Sequence, residues 1–302
     1  MKVRIGVGLG ALTGARGDFG ALVDDLERLR FDSLWLSERA TGHAPDPMIG
    51  LAFAAGRTAK LKLGTSVQVL SGRNPALVAK EWASLDRLSN GRALPAFGLG
   101  VVDVNEQQAF GIAREQRAGW FDEALPLIRR FWTEDAVDHD GKHFHYQGLS
   151  IGPKPVQSPP DVWLGGQAPS ELRRVGRLSD GWLPSFCTPD DAAAGRPVVE
   201  AAADKAGRAI DAEHFGALVV YVPGAGEAVQ VPPLLAAVVN RRRPDLDPSA
   251  VIPTGHKALR RQLEAFVERG FSKLVVVPAG DPPSWTEELE QLADAVLPLQ
   301  NG

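Results

Sequence analysis

The chain alternates between two hydrophobic periods. Short runs rich in β-formers recur at residues 3–8, 33–37, 61–69, 93–97, 162–164, 182–184, 217–222 and 273–277, and apolar residues return at helical spacing between most of them. The stretch 63–100 carries the fullest punctuation. After its first strand, Asn74-Pro75 supplies an N-cap followed by a proline already set for the first helical turn, and Leu77, Val78, Trp82, Leu85 and Leu88 follow near helical spacing. Asn90-Gly91 then stops that helix before the next strand. Elsewhere Asp18 caps a helix with Leu22, Leu26 and Leu29 on one face, and Asp46-Pro47 opens another. A long helix is expected over 115–132, with Phe121, Leu125, Ile128 and Trp132 as its stripe, preceded by a polar loop. Further helices are expected around Leu172–Val175–Leu178 and over 189–207, 257–269 and 286–296. Residues 137–146 alternate around Asp140-Gly141 as a hairpin, and Pro153, Pro155, Pro159 and Pro160 carry the chain on to the next strand. The segment 224–256 is the least periodic; 229–239 is read as helical and 241–253 as an irregular link.

About eight strands alternating with helices predict a (β/α)8 TIM-like barrel with inserted segments, in one domain over 1–302, with an open doubly wound sheet as the alternative. The dinucleotide fingerprint fails: Gly6-Val7-Gly8-Leu9-Gly10 has the glycines without the spacing.

At 302 residues, 44% hydrophobic and 23% charged, the chain has the composition of a globular protein with a sizeable core. The net charge of −4 gives no general attraction to nucleic acid or to an anionic membrane, and Arg241–Arg243 is too short a basic run to alter that. Cys187 is the single cysteine and forms no internal disulfide, so a reducing, cytoplasmic setting is expected. The glycine-broken N-terminus reads as a first strand rather than a secretory signal, and no apolar stretch approaches the ~18 residues of a membrane span.

The candidate chemistry gathers at expected strand ends. In GGQAPSE, Gly165 and Gly166 let backbone N–H groups approach a phosphate, and the following helix adds its positive end; Gly165, Gly166, Gln167 and Ala168 are the phosphate candidates. The alternative is a strand-to-helix turn that needs glycine for its dihedrals alone. His143 and His145 share a hairpin face but lack a third ligand, Cys187 reads as a small core residue, and Arg173, Arg174 and Arg177 meet either an anion or solvent. No lysine stands ready at a strand end for Schiff-base chemistry, and no metal site is read.

RNPALVAKEWASLDRLSNGR together with VWLGGQAPSELRRVGRLSDGWLPS resembles the bacterial luciferase-like monooxygenase superfamily, in its branch of coenzyme F420-dependent oxidoreductases. The resemblance implies a TIM-like barrel holding F420 or flavin mononucleotide (FMN) at its C-terminal mouth, in a homodimer. It implies that LGTSV, with Thr65, Ser66 and Val67, bulges behind the cofactor ring through a cis peptide between Ser66 and Val67. Where F420-dependent sugar-phosphate dehydrogenases end their second strand in Asp-His, this chain reads Glu38-Arg39. An arginine holds an anion or polarises a carbonyl but does not serve as a general base; His43, in the same loop, either substitutes or is a solvated histidine. GLGVVDVNEQQAFG resembles the loop carrying the family's acid, which makes Asp103 or Glu106 a candidate proton donor, with Glu106 as a helix cap the alternative.

The expected function is therefore an F420-dependent oxidoreductase acting on a small organic substrate beside Glu38, Arg39, His43 and Asp103. The alternatives are an FMN-dependent monooxygenase and a non-catalytic flavin-binding homologue.

Overall fold

The computed structural model describes residues 1–10, 12–14, 18–224 and 230–301, with Arg242 as backbone only. Its strands are β1 (Arg4–Leu9), β2 (Ser33–Leu36), β3 (Lys62–Thr65), β4 (Gln68–Val69), β5 (Ala93–Leu94), β6 (Ala96–Gly98), β7 (Val137–Asp140), β8 (His145–Leu149), β9 (Trp163–Leu164), β10 (Gly181–Trp182), β11 (Gly216–Tyr221) and β12 (Lys273–Pro278). The helices are α1 (Phe19–Leu29), α2 (Pro47–Arg57), α3 (Pro75–Leu88), α4 (Val104–Phe110), α5 (Arg117–Thr133), α6 (Pro169–Leu178), α7 (Pro189–Lys205), α8 (Pro233–Arg242), α9 (His256–Glu268) and α10 (Trp285–Val296).

Parallel pairing runs β11-β12-β1-β2-β3-β5 in one ladder and β10-β9-β6-β4 in a second. β3 and β4 are halves of one strand interrupted at Ser66–Val67, and β5 and β6 are halves of another interrupted at Pro95, where proline removes a ladder donor. Parallel bridges Trp182–Phe215 and Ser185–Leu218 join the end of the second ladder to the start of the first. The pairing thus returns on itself after eight strand positions, as the TIM-like expectation requires. β7 and β8 form the expected antiparallel hairpin outside it.

Large side chains fill the barrel interior. The Trp35 indole donates to Ser33 Oγ at 2.8 Å and meets Trp163 edge-on at 6.5 Å between ring centres. Glycine at 64 makes this fit possible, because a Cβ there would lie 2.6 Å from the indole. At the N-terminal end of the barrel, Lys273 Nζ sits 5.6 Å from the Trp35 ring centre and pairs with Asp32. Outside, capping starts the helices as the sequence predicts: Asp18 accepts from the Gly20 amide at 2.8 Å and Asn74 from the Ala76 amide at 2.9 Å. Buried Asp86 on α3 accepts from the amides of Val156 and Gln157 at 2.7 and 2.9 Å, which anchors the proline-rich segment after the hairpin.

Three expectations change. The polar loop after Gly100 contains α4, short and sealed by Gly111 in the left-handed conformation, and α5 begins only at Arg117 after a 3-10 turn at Arg114–Gln116. The helix expected over 229–239 is α8, which starts at Pro233 because Pro232-Pro233 suits a helix entrance and not its interior. Residue 229 itself lies outside the described residues.

Candidate active site

The C-terminal strand ends open into a cavity of about 1170 Å³. This is the end of a (β/α)8 barrel at which loops, rather than packing, decide chemistry. One wall is the interrupted strand. The Ser66–Val67 peptide is cis, the geometry the resemblance implied, and both residues line the cavity. Ser37 Oγ donates to the Ser66 carbonyl at 2.9 Å, and the Glu38 amide donates to the Val67 carbonyl at 3.1 Å. The Glu38 carboxylate, 8% exposed, accepts from the Val69 amide at 2.6 Å and pairs with Arg73. Residues 37 and 38 thus grip the bulge on both sides of the cis bond. Gly98 completes the fit, since a Cβ there would lie 2.4 Å from Val67 Cγ2. Burial, outweighing the charge of Arg73 and the Val69 hydrogen bond, raises the Glu38 carboxyl above its ordinary range.

Arg39 and Glu106 share the next stretch of wall. Glu106, 3% exposed, accepts from the amides of Ala40 and Thr41 at 3.1 and 3.0 Å and from Thr41 Oγ1 at 2.6 Å. Burial pushes its carboxyl up, but the Thr41 and Ala40 hydrogen bonds and the nearby Arg39 charge outweigh that and lower it, so Glu106 is an anion that ties down the loop after β2. The Arg39 guanidinium makes no hydrogen bond or ion pair with a described residue and is free to meet a ligand.

Opposite lies the turn from β9 into α6. The amides of Gln167 and Ala168 both donate to Glu171 Oε2 at 2.9 Å, while Gly166, at φ +101°, passes its carbonyl to Trp182 Nε1 at 2.9 Å. A Cβ on Gly166 would lie 2.7 Å from Glu171. The turn therefore converges its donors on one anionic oxygen, which here belongs to the chain itself.

The remaining wall comes from β11, α8 and β12: Leu218, Val220, Leu235, Val238 and Val277. Cys187 lines the cavity at 4% exposure, and burial pushes its thiol up to about 12.

Of the sequence-derived site residues, Glu38, Arg39, Ser66, Val67, Glu106 and the turn 165–168 come together around this one cavity. Three lie elsewhere. Thr65 is fully buried in the sheet and does not line the cavity, its hydroxyl donating to the Ala96 carbonyl at 2.6 Å and accepting from the Ala96 amide at 3.1 Å. Asp103 is exposed and caps α4, accepting from the amides of Asn105 and Glu106 at 2.9 and 3.1 Å; it takes the capping role considered for Glu106. His43 is exposed beside Gly14 and does not line the cavity. Sequence reading missed Ser37, Arg73, Gly98 and Glu171. A glutamate three residues after the helix entrance at Ala168, placed to reach back to the entrance amides, could have disclosed Glu171, whereas the contact between Glu38 and Arg73, 35 residues apart, leaves no local signal.

The model of the luciferase-like monooxygenase family matches residues 2–296. Among curated relatives, the chain is 28% identical over 179 residues to an F420-dependent glucose-6-phosphate dehydrogenase of Kineococcus radiotolerans, covering 56% of this chain and 52% of that protein. It is 32% identical over 170 residues to a phthiodiolone/phenolphthiodiolone dimycocerosates ketoreductase of Mycobacterium kansasii, covering 55% and 46%. The chain thus spans about half the length of the curated relatives it matches. Among solved structures, a monooxygenase of Streptomyces bottropensis superposes with a TM-score of 0.81 at 20% identity, covering 98% of this chain and 99% of that one. An F420-dependent secondary alcohol dehydrogenase superposes at 0.80 and 17%, covering all of both chains. At such identities these likenesses speak to fold, and they agree with the barrel pairing. With a family model matched over nearly its whole length and the barrel, bulge and glycine turn in place, this chain belongs to the luciferase-like monooxygenase family.

Proposed function

We propose that this chain is a coenzyme F420-dependent oxidoreductase that moves a hydride between the deazaflavin and a small organic substrate. The observation that carries this reading is the pairing, across one cavity, of a braced bulge at Ser66–Val67 with a turn whose amides converge on an anion. The sequence similarity to F420-dependent glucose-6-phosphate dehydrogenases supports the deazaflavin in particular. The residues fit such a cofactor: Ser66 and Val67 would back its ring, and the turn 165–168 would receive its phosphate where Glu171 Oε2 now sits. When bound, a deazaflavin supplies hydride transfer, two electrons at a time, without the oxygen activation of a reduced flavin.

Each protein group then has a distinct task. Arg39 is the proposed catalytic residue, placing a positive hydrogen-bond donor against a substrate oxygen and stabilising the charge that develops there. Glu106 positions Arg39 by fixing the backbone immediately after it. Glu38 is a positioning residue for the bulge, its carboxylate being occupied by Val69 and Arg73. Neither His43 nor Asp103 has a role in this reading.

FMN is the alternative cofactor, because the same turn would accept its phosphate and the fold is shared with a Baeyer-Villiger monooxygenase solved in complex with FMN. Titration with F420 and, separately, with FMN, followed by fluorescence and thermal shift, tests the choice. Micromolar F420 binding without comparable FMN binding is expected; preference for FMN would move the chain to the oxygen-using reaction, and cofactor binding without turnover would indicate a non-catalytic homologue. A cytoplasmic homodimer completes the proposal, with light scattering as the check on assembly. Among the described residues, no helix is long and apolar enough to cross a membrane.

A further inference from the structure

The charged groups around the cavity are almost all spoken for within the protein. Arg174 is held by Asp122 at 2.6 Å, and Arg243 by Asp191 at 2.7 Å and Asp245 at 2.8 Å. Glu38 is satisfied by Arg73 and Val69, Glu106 by Ala40 and Thr41, and Glu171 by Gln167 and Ala168. Among the described residues lining the cavity, Arg39 is the one cation left without such a partner. No lysine lines it.

A phosphorylated sugar requires several free cations or hydroxyl partners for its dianionic head. Binding one here would mean breaking an existing ion pair, which leaves its partner partly buried and uncompensated. The wall built by β11, α8 and β12 is apolar among the described residues, presenting Leu218, Val220, Leu235, Val238 and Val277. The apolar character continues to the rim, where Leu234 and Val102 line the cavity while 62% and 65% exposed. Leu234 and Val102 thus extend the apolar lining outward from the α8 wall and from the loop after β6. The volume, about 1170 Å³, lies above the range of pockets that bury one drug-sized ligand.

We infer that the substrate is an uncharged, predominantly apolar carbonyl compound, or the corresponding secondary alcohol, whose single oxygen is received by Arg39 and whose body packs against the α8 wall. This rests on the F420 reading for the reaction but on the cavity alone for the substrate class. In the reducing direction the carbonyl carbon gains a hydride and the oxygen a proton, and the reduced deazaflavin, becoming oxidised, gives up that hydride with its two electrons and releases one proton, so that the exchange balances.

The test is binding, not turnover. Menthone and a long-chain methyl ketone, neither of which can react with oxidised cofactor, are titrated calorimetrically into protein saturated with oxidised F420, with glucose 6-phosphate in parallel. The same titrations are run on cofactor-free protein. Saturable binding of at least one ketone is expected, with glucose 6-phosphate at least about tenfold weaker. Arg39→Ala and, separately, Val238→Asp should each weaken the ketone about tenfold. F420 fluorescence titration of each variant distinguishes a local loss from misfolding. Tighter binding of glucose 6-phosphate than of either ketone, or ketone binding indifferent to both substitutions, overturns the inference, as does binding of none of the three. Failure of F420 to bind would instead overturn the cofactor reading, and the cofactor-free titrations would still decide the substrate class.

Discussion

Glu171 Oε2 and the Ala168 amide meet at 2.9 Å at the entrance to α6, so the anion position of the glycine turn is filled by a carboxylate from the same helix. A cofactor phosphate arriving there displaces that carboxylate or is repelled by it. Glu171→Gln is therefore expected to tighten binding of phosphate-bearing cofactors about tenfold while leaving riboflavin, which lacks the phosphate, unchanged. Losing the capping carboxylate should cost about 0.5–1 kcal/mol of stability. Paired titrations of FMN and riboflavin, with urea denaturation alongside, check both. Equal effects on the two ligands would show that the phosphate binds elsewhere.

Gly98 is expected to tolerate no side chain. A Cβ at this position would lie 2.4 Å from Val67 Cγ2, and Val67 is held from behind by the Glu38 amide and from the side by the Ser37–Ser66 contact. Gly98→Ala should therefore shift the bulge, costing about 1–3 kcal/mol of stability and weakening cofactor binding about tenfold or more. Denaturation midpoints and the F420 titration read the two effects separately.

Asp32 sits beneath the barrel with Lys273 and, at 3.2 Å, Lys62. Burial pushes its carboxyl up, but the two ammonium groups outweigh this and hold it down at about 2. A carboxyl lowered in the folded state stabilises fully above its ordinary value near 3.8 and loses that contribution as pH falls toward about 2. Acid unfolding should accordingly be steep in this window for the native chain and shallower for Asp32→Asn. That variant leaves Lys273 buried without its anion and should cost about 3–5 kcal/mol at neutral pH. A denaturation series against pH on both proteins makes the comparison.

Cys187 should be chemically silent in the folded protein. Its burial and its thiol, pushed up to about 12, leave almost no thiolate at neutral or mildly alkaline pH. Iodoacetamide is expected to label it only after denaturation, which mass spectrometry reads directly; rapid labelling of native protein would mean the thiol is neither buried nor raised.

The linear order of the chain was enough to determine the barrel and one side of its mouth. Strand-helix alternation, the Asn74-Pro75 entrance and the stop at Asn90-Gly91 are local events, because capping and backbone dihedrals involve residues within a few positions of each other. The glycine turn at 165–168 was legible for the same reason, and the bulge at Ser66–Val67 through its family resemblance. Tertiary structure decided which charges remain available. Glu38 is occupied by Arg73 and Val69, Glu106 by the loop after β2, and Asp103 by its own helix, so that of these charged candidates only Arg39 is left facing the cavity unpaired among the described residues. Pairing across tens of residues depends on distance in space, which periodicity does not encode, and the apolar wall from α8 was hidden for a related reason. Its leucines and valines look alike in sequence whether they face a core or a substrate, and only the closed ring of strands determines which of them the cavity receives.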